Sequence, residues 1–210
     1  MPQTFASHYA ALRAAAWPAR DEADAFDTHV IAAIVAAALA ESATPGVSLA
    51  DGLGLRPSDI GHLFDRRFPI YRAAPLGLTE MTPSPASDEE VILADLFAAH
   101  RSGPEPVSSW LAVMIARRAM RPDHLWQDLG LNDRGELNRL LARHFRSLHA
   151  GNTKNMRWKK YFYRVLCEAE GFALCSAPSC AVCTDFADCF GAEDGMSRLA
   201  DWRRRLEVAA

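Results

Sequence analysis

The chain has 210 residues, half of them apolar, with 23 basic and 26 acidic side chains and a formal net charge of -3. That is enough chain to bury a core in one or two helical domains, and the charge gives no argument for a nucleic-acid or membrane partner. The longest apolar run, Val30 to Ala40, is too short to span a bilayer, and no basic, apolar and small-residue leader pattern opens the sequence. A soluble, cytoplasmic protein is expected.

Residues 4–16 and 20–41 are rich in Ala and Leu, are separated by Trp17-Pro18 and show no strand alternation, which predicts two helices. A Pro-rich stretch, Pro69 to Pro85, reads as a linker. Ser87-Asp-Glu-Glu90 has capping-box spacing and precedes Val91, Leu93, Leu96 and Phe97, with Gly103-Pro104 as a stop. A further helix from about Pro106 to Met120 carries the stripe Val107, Trp110, Leu111, Met114 and Ile115. Another, from about Arg134 to His149, puts Leu137, Leu140, Leu141, His144 and Leu148 on one face. The expected fold class is all-α, a helical bundle with a C-terminal cysteine-rich metal-binding loop. Its organisation reads as an N-terminal helical unit with the linker (1–86), a second helical unit ending in a basic helix (87–174), the cysteine loop (175–191) and a C-terminal helix (192–210).

Two segments resemble one another. Leu53-Gly-Leu55 opens a stretch running to Phe68, and Leu129-Gly-Leu131 opens one running to Phe145, with one residue inserted in the second. Each follows a long apolar helix. The pattern reads either as two related helix-turn-helix units or as the common look of an amphipathic helix after an L-G-L turn. Where the second copy has His144, the first has Arg67. The likeness to a DNA-binding helix-turn-helix is superficial, because no basic recognition face follows in the first copy.

The cysteines are concentrated near the C-terminus. Cys175, Cys180, Cys183 and Cys189 have the spacing C-x4-C-x2-C-x5-C, and the fifth, Cys167, lies eight residues upstream. Thiolates crowded this closely suit a metal centre whose ligands converge. A disulfide knot needs an oxidising compartment. Structural zinc usually takes two separated knuckles, and here only Cys180 and Cys183 form one. An iron–sulfur cluster is larger and tolerates one wrapping loop with uneven spacing, so the pattern favours it over zinc. The loop holds few apolar residues, so without metal, residues 175–191 are expected to be mobile or bridged by adventitious disulfides.

Three histidines are further candidate ligands. His144 shares a face with leucines, His100 lies below Leu93, Leu96 and Phe97, and His124 sits in Asp123-His-Leu-Trp-Gln-Asp-Leu129. Taken alone, such a histidine is more often a core residue satisfied by a hydrogen bond, or a cation near a helix C-terminus, than a ligand. Ahead of the cysteines, residues 152–167 carry Lys154, Arg157, Lys159, Lys160 and Arg164 and no acid. Such a helix is either a solvated face, with Trp158, Phe162 and Val165 or Leu166 turned inward, or a place to hold an oxyanion or an acidic partner. The anion-binding candidates are Arg157, Lys159, Lys160 and Arg164.

Together these residues carry a family resemblance. Met156-Arg-Trp-Lys-Lys-Tyr-Phe-Tyr-Arg164, Leu166-Cys-Glu168, Gly171-Phe172 and the four cysteines closed by Cys189-Phe-Gly191 resemble the NifQ family of nitrogen-fixation proteins. His124-Leu-Trp-Gln-Asp-Leu-Gly-Leu131 and Arg143-His-Phe145 are similar to it as well. The resemblance implies an iron–sulfur protein that binds molybdenum and donates it to iron–molybdenum cofactor assembly for nitrogenase. It makes Cys175, Cys180, Cys183 and Cys189 the ligands of a three-iron or four-iron cluster, molybdate the small-molecule ligand, and the nitrogenase cofactor scaffold and nitrogenase reductase the partners. It leaves the role of Cys167 and the direct molybdenum ligands open, with His144, His100 and His124 as candidates. With no nucleophile–base pair in view, a metal-processing and metal-donor protein is expected rather than a turnover enzyme. The rival readings are an iron–sulfur electron-transfer protein and a zinc-stabilised helical interaction module.

Overall fold

The computed structural model describes residues 4–72, 82–169 and 186–193. Thr4 accepts a hydrogen bond from the Ser7 N–H at the start of α1 (Phe5–Ala14), and Asp21 accepts from the Asp24 N–H at the start of α2 (Glu22–Glu41). These caps satisfy donors that a helix start cannot pair internally. Alanines dominate the middle of α2, and everything from Val30 to Ala38 is closed to solvent. Small side chains on every face let neighbours approach from all sides, so α2 is the axis of the molecule. It has the length and hydropathy of a membrane span, yet most of it is buried inside the protein.

Next come α3 (Leu49–Leu53), α4 (Pro57–Arg67) and α5 (Pro69–Arg72). Ser48 and Asp51 cap α3 reciprocally. Gly52 lies against α2 so closely that a Cβ there would sit 2.5 Å from the Ala38 Cβ. The second half contains α6 (Asp88–Ala99), α7 (Val107–Ala119), α8 (Leu125–Asp128), α9 (Arg134–His144) and α10 (Arg146–Gly151), followed by α11 (Trp158–Ala169) and α12 (Phe186–Phe190). The described residues contain no strand, as the all-α reading requires.

The two L-G-L segments share a local structure. In both halves a long helix is followed by a short helix, a left-handed glycine, a helix and a terminal turn. Gly54 has φ +69 and Gly130 has φ +73. Helices α4 and α9 end at Phe68 (φ -136, ψ 59) and Phe145 (φ -141, ψ 56). The Trp17 N–H donates to the Arg67 carbonyl at 3.2 Å, and the Ser102 N–H donates to the His144 carbonyl at 2.9 Å. Helix α1 packs on α2 as α6 packs on α7, and α2 and α3 both meet α7, so the two halves share one core.

Gly130 tests this geometry. Its conformation penalises any side chain, and a Cβ would meet the Phe5 ring at 2.9 Å and the Ala33 carbonyl at 3.0 Å. Gly130→Ala is expected to lower stability by about 1–2 kcal/mol from the backbone alone. Urea unfolding would register the loss as an earlier midpoint.

Polar clusters lock the helices to one another. The buried Arg118 forks onto Glu41 at 2.8 Å and donates to the Asp128 carbonyl at 2.7 Å, joining α2, α7 and α8. His29 links the Tyr9 hydroxyl, at 2.7 Å, to Glu136, at 3.1 Å, joining α1, α2 and α9. Burial pushes the Glu136 carboxyl up, but hydrogen bonds from His29 and from the Asn132 backbone and side chain prevail and hold it down at about 2. A depressed carboxyl stabilises the fold above its ordinary pKa and stops doing so as pH falls through the folded value. The stability advantage of the wild-type over Glu136→Gln is therefore expected to be full above pH 4.5 and to vanish toward about 2. Thermal unfolding of both proteins across that range would show the two curves converging.

Three sequence expectations are corrected. The helix expected over residues 134–149 is two helices, because the Phe145 backbone, at φ -141 and ψ 56, leaves helical geometry while its ring packs 4.9 Å from Phe97. The basic helix starts at Trp158, so Lys154 and Arg157 precede it, and Asn155 turns the chain with φ 54. Only half of the Ser87–Glu90 capping box forms: Ser87 accepts from the Glu90 N–H, but the Glu90 carboxylate pairs with Arg117 at 2.8 Å instead of returning to the cap. The middle of the Pro-rich stretch and most of the expected C-terminal helix lie outside the described residues.

Candidate metal centre

Helix α11 is seated by its aromatic face. Trp158 and Phe162 are buried, with the Phe162 ring edge-on to Phe97 at 4.9 Å between centroids and the Trp158 Nε1–H donating to Asn138 at 2.7 Å. Val165 and Leu166 are half-buried against the same core. With that face fixed, the basic residues point elsewhere, and the structure sorts them by what they touch.

Arg157 fastens the far side of the cysteine segment. Its N–H donates to the Cys189 carbonyl at 2.8 Å, its Nε to the Gly191 carbonyl at 3.1 Å and its Nη2 to the Ala192 carbonyl at 2.7 Å. Arg134 adds an ion pair to Glu193 at 2.6 Å, and also donates to the Met156 carbonyl at 2.6 Å. Two arginines thus tie α12 and the residues after it to the turn that opens α11. No sequence spacing announced this, since carbonyl partners leave no signature in residue type.

Lys159 donates to Asp128 at 2.6 Å and to the Arg121 carbonyl, so its charge is used within the protein. Burial raises the Asp128 carboxyl pKa despite the Lys159 hydrogen bond that lowers it. Arg164 pairs with Glu168 at 2.6 Å and lines a different, smaller cavity with Asn152, Thr153 and Lys154. Lys160 is exposed, and among the described residues it has no ion-pair partner.

A cavity of about 450 Å³ lies between these elements. It is lined by Arg157 just ahead of α11, by Lys159 and Lys160 on its first turn, by Asp123 and His124 ahead of α8, and by Asp188 and Glu193 around α12. Gln127 accepts from the His124 N–H at 3.3 Å, which sets the backbone at the start of α8. Asp188 is the immediate neighbour of the half-buried Cys189.

The other two histidines lie elsewhere. The His100 Nδ1 is 2.6 Å from the Ser147 hydroxyl, between α6 and α10. His144 is wholly buried, with Nδ1 2.9 Å from the Ser108 hydroxyl and Nε2 2.9 Å from Asp27. Both of its ring nitrogens are occupied, so its place in the fold is a core hydrogen bond. The resulting Ser108–His144–Asp27 line is not an open catalytic triad, because a Cβ on Gly103 would lie 2.5 Å from the His144 Nδ1 and 2.6 Å from the Ser108 hydroxyl. Backbone fills the place a substrate would need.

Cys167, on the last turns of α11, is a free, half-buried thiol. Cys175, Cys180 and Cys183, with the expectation about the order of their loop, fall outside the described residues. Among the described residues, no cluster of three metal-ligating side chains forms.

The fold and site define a helical protein that brings a charged, histidine-bearing cavity to the edge of a cysteine-rich segment. The chain belongs to the NifQ family, nitrogen-fixation proteins whose model it matches over residues 30–191. It is 45% identical over 181 residues to a protein NifQ homolog of Sinorhizobium fredii, covering 86% of this chain and 79% of that one. To protein NifQ of Rhodobacter capsulatus it is 39% identical over 158 residues, 75% of this chain and 86% of the relative. To protein NifQ of Azotobacter vinelandii it is 44% identical over 116 residues, 55% and 57% of the two chains. No solved structure matches.

Proposed function

We propose that this protein holds an iron–sulfur cluster on Cys175, Cys180, Cys183 and Cys189, takes up molybdenum as molybdate, and donates it to iron–molybdenum cofactor assembly for nitrogenase. The cofactor scaffold and the nitrogenase reductase are the proposed partners. One observation carries the reading: Arg157 holds the Cys189 backbone at a cavity that also presents His124, Lys159 and Lys160. The cysteine chemistry fits a resident cluster, since thiolates are soft donors for iron and Cys189 directly follows Asp188 in the cavity wall. When bound, the cluster supplies sulfide donors suited to molybdenum.

The protein's own residues divide the remaining work. Lys160 is the cation available to draw in a tetrahedral oxyanion. Lys159 balances the Asp128 carboxyl under the cavity and keeps its charge from repelling that anion. His124 is the imidazole placed to donate to molybdenum from the protein side, in preference to His100 and His144, whose rings are engaged elsewhere. Arg157 acts through the backbone as the fastening of the loop, and Arg164 balances Glu168. Exposure of the cavity suits release of the metal to a partner.

Anaerobic purification followed by iron, sulfide and molybdenum analysis and paramagnetic resonance tests this reading. Iron and sulfide with a paramagnetic signal, and molybdenum that is lost from His124→Ala while iron stays, are expected. One tightly bound zinc with no iron overturns it.

A further inference from the structure

The first half of the molecule carries a second charged cleft, about 310 Å³, that the metal reading does not use. Its walls are Trp17, Pro18 and Arg20 from the loop between α1 and α2, Asp24 and Thr28 from α2, and Arg66 and Arg67 from the end of α4. None of these lines the cavity beside α11.

The internal resemblance gives this cleft its interest. In the second half, the corresponding loop closes on the end of α9: the Ser102 N–H meets the His144 carbonyl, and Gly103 packs over the His144–Ser108 pair. In the first half, the Trp17 N–H makes the same bond to the Arg67 carbonyl, but the space next to it stays open and is lined by guanidinium groups. Trp17 is 58% exposed, held by its backbone and by an Nε1–H bond to the Asp65 carbonyl at 3.3 Å. A large ring is thus kept at the mouth of a cleft without being used as core.

The donors inside are only partly spent. Arg67, whose side chain is nine-tenths buried, gives Nη1 to Asp24 at 2.8 Å and to Thr28 at 3.1 Å, while its buried Nε has no partner. An unmet buried donor on a charged group is costly and marks a place where an acceptor belongs. Arg20 pairs with Asp24 at 3.0 Å but is largely exposed, and Arg66 is exposed with no ion-pair partner among the described residues. Three guanidinium groups face one carboxylate, a surplus of two positive charges.

We propose that this cleft is a binding site for a dianionic phosphate group, with Arg66 and the Arg67 Nε donating to its oxygens and Trp17 flanking whatever the phosphate is attached to. A planar guanidinium fork matches tetrahedral phosphate oxygens, the twofold surplus charge matches a dianion, and the indole face accommodates an apolar or aromatic substituent. Free inorganic phosphate and a phosphomonoester are the two sources of such a group.

The full chain would be titrated with inorganic phosphate, followed by phosphorus-31 line broadening, and with phenyl phosphate, followed also by tryptophan fluorescence. Saturable binding is expected, weakened about tenfold by Arg66→Ala, an exposed position whose loss leaves the melting temperature unchanged. Phenyl phosphate binding more tightly than inorganic phosphate, with the advantage lost in Trp17→Ala, identifies a phosphomonoester as the source. Equal affinity identifies free phosphate. Absence of saturable binding, affinity untouched by Arg66→Ala, or binding removed by Lys160→Ala instead, overturns the proposal and leaves the metal reading unaffected.

Discussion

Asp27→Ala is expected to lower the stability of the fold by about 3–5 kcal/mol, a large share of what a domain of this kind possesses. The Asp27 side chain is 1% exposed and receives the Arg143 fork at 2.7 and 2.9 Å and the His144 Nε2 at 2.9 Å. Removing it leaves a guanidinium and a buried imidazole without their acceptor, which is the condition under which a buried ion pair becomes expensive. Burial pushes the Asp27 carboxyl up, but the hydrogen bonds from His144 and Arg143 prevail and hold it below the ordinary value of 3.8. The deficit of the variant is therefore full above that pH and shrinks as the medium becomes more acid. Urea unfolding at neutral and acid pH measures both. The same variant separates the core role of His144 from a ligand role, because the chains that still fold are expected to carry their full complement of metal.

Arg157→Ala is expected to weaken retention of the proposed cluster by about 10–100-fold, the usual cost of losing a group that orients a metal ligand. The variant loses the guanidinium bonds to the Gly191 and Ala192 carbonyls, while the bond from its own N–H to Cys189 is backbone and persists. The Cys189 thiolate keeps its chemistry but loses part of its fixed position. Arg157→Lys retains the charge without the fork, so it should behave like alanine rather than like arginine. Transfer of iron to a chelator, timed for each variant, is the measurement. Retention that follows charge, with lysine matching arginine, would assign Arg157 to anion attraction and remove its role as a fastening.

Much of the helical body was legible in residue order. The Ser87 cap, the alanine run of α2 and the leucine face of α9 are local signals, and local signals survive into the fold. The break at Phe68 is announced by Pro69, but the one at Phe145 was not legible, because nothing in a phenylalanine forbids a helix. The Phe145 ring packs 4.9 Å from Phe97, a tertiary contact that residue order does not announce. Glu90 likewise had a local partner in Ser87 and took a distant one in Arg117, since a charged partner outweighs a capping amide.

The candidate site divides in the same way. The cysteine spacing, the basic run and the family were readable from the sequence alone, since each depends on residue types within a short stretch. Which histidine belongs to the site was not. Sequence put His144 ahead of His124, yet burial gives the first to Asp27 and Ser108 and leaves the second lining the cavity with Lys160. Residue order determined an all-helical member of the NifQ family with thiols gathered near its end. Tertiary structure alone decided which cations are spent within the protein and which still face a cavity, because that depends on partners tens of residues away.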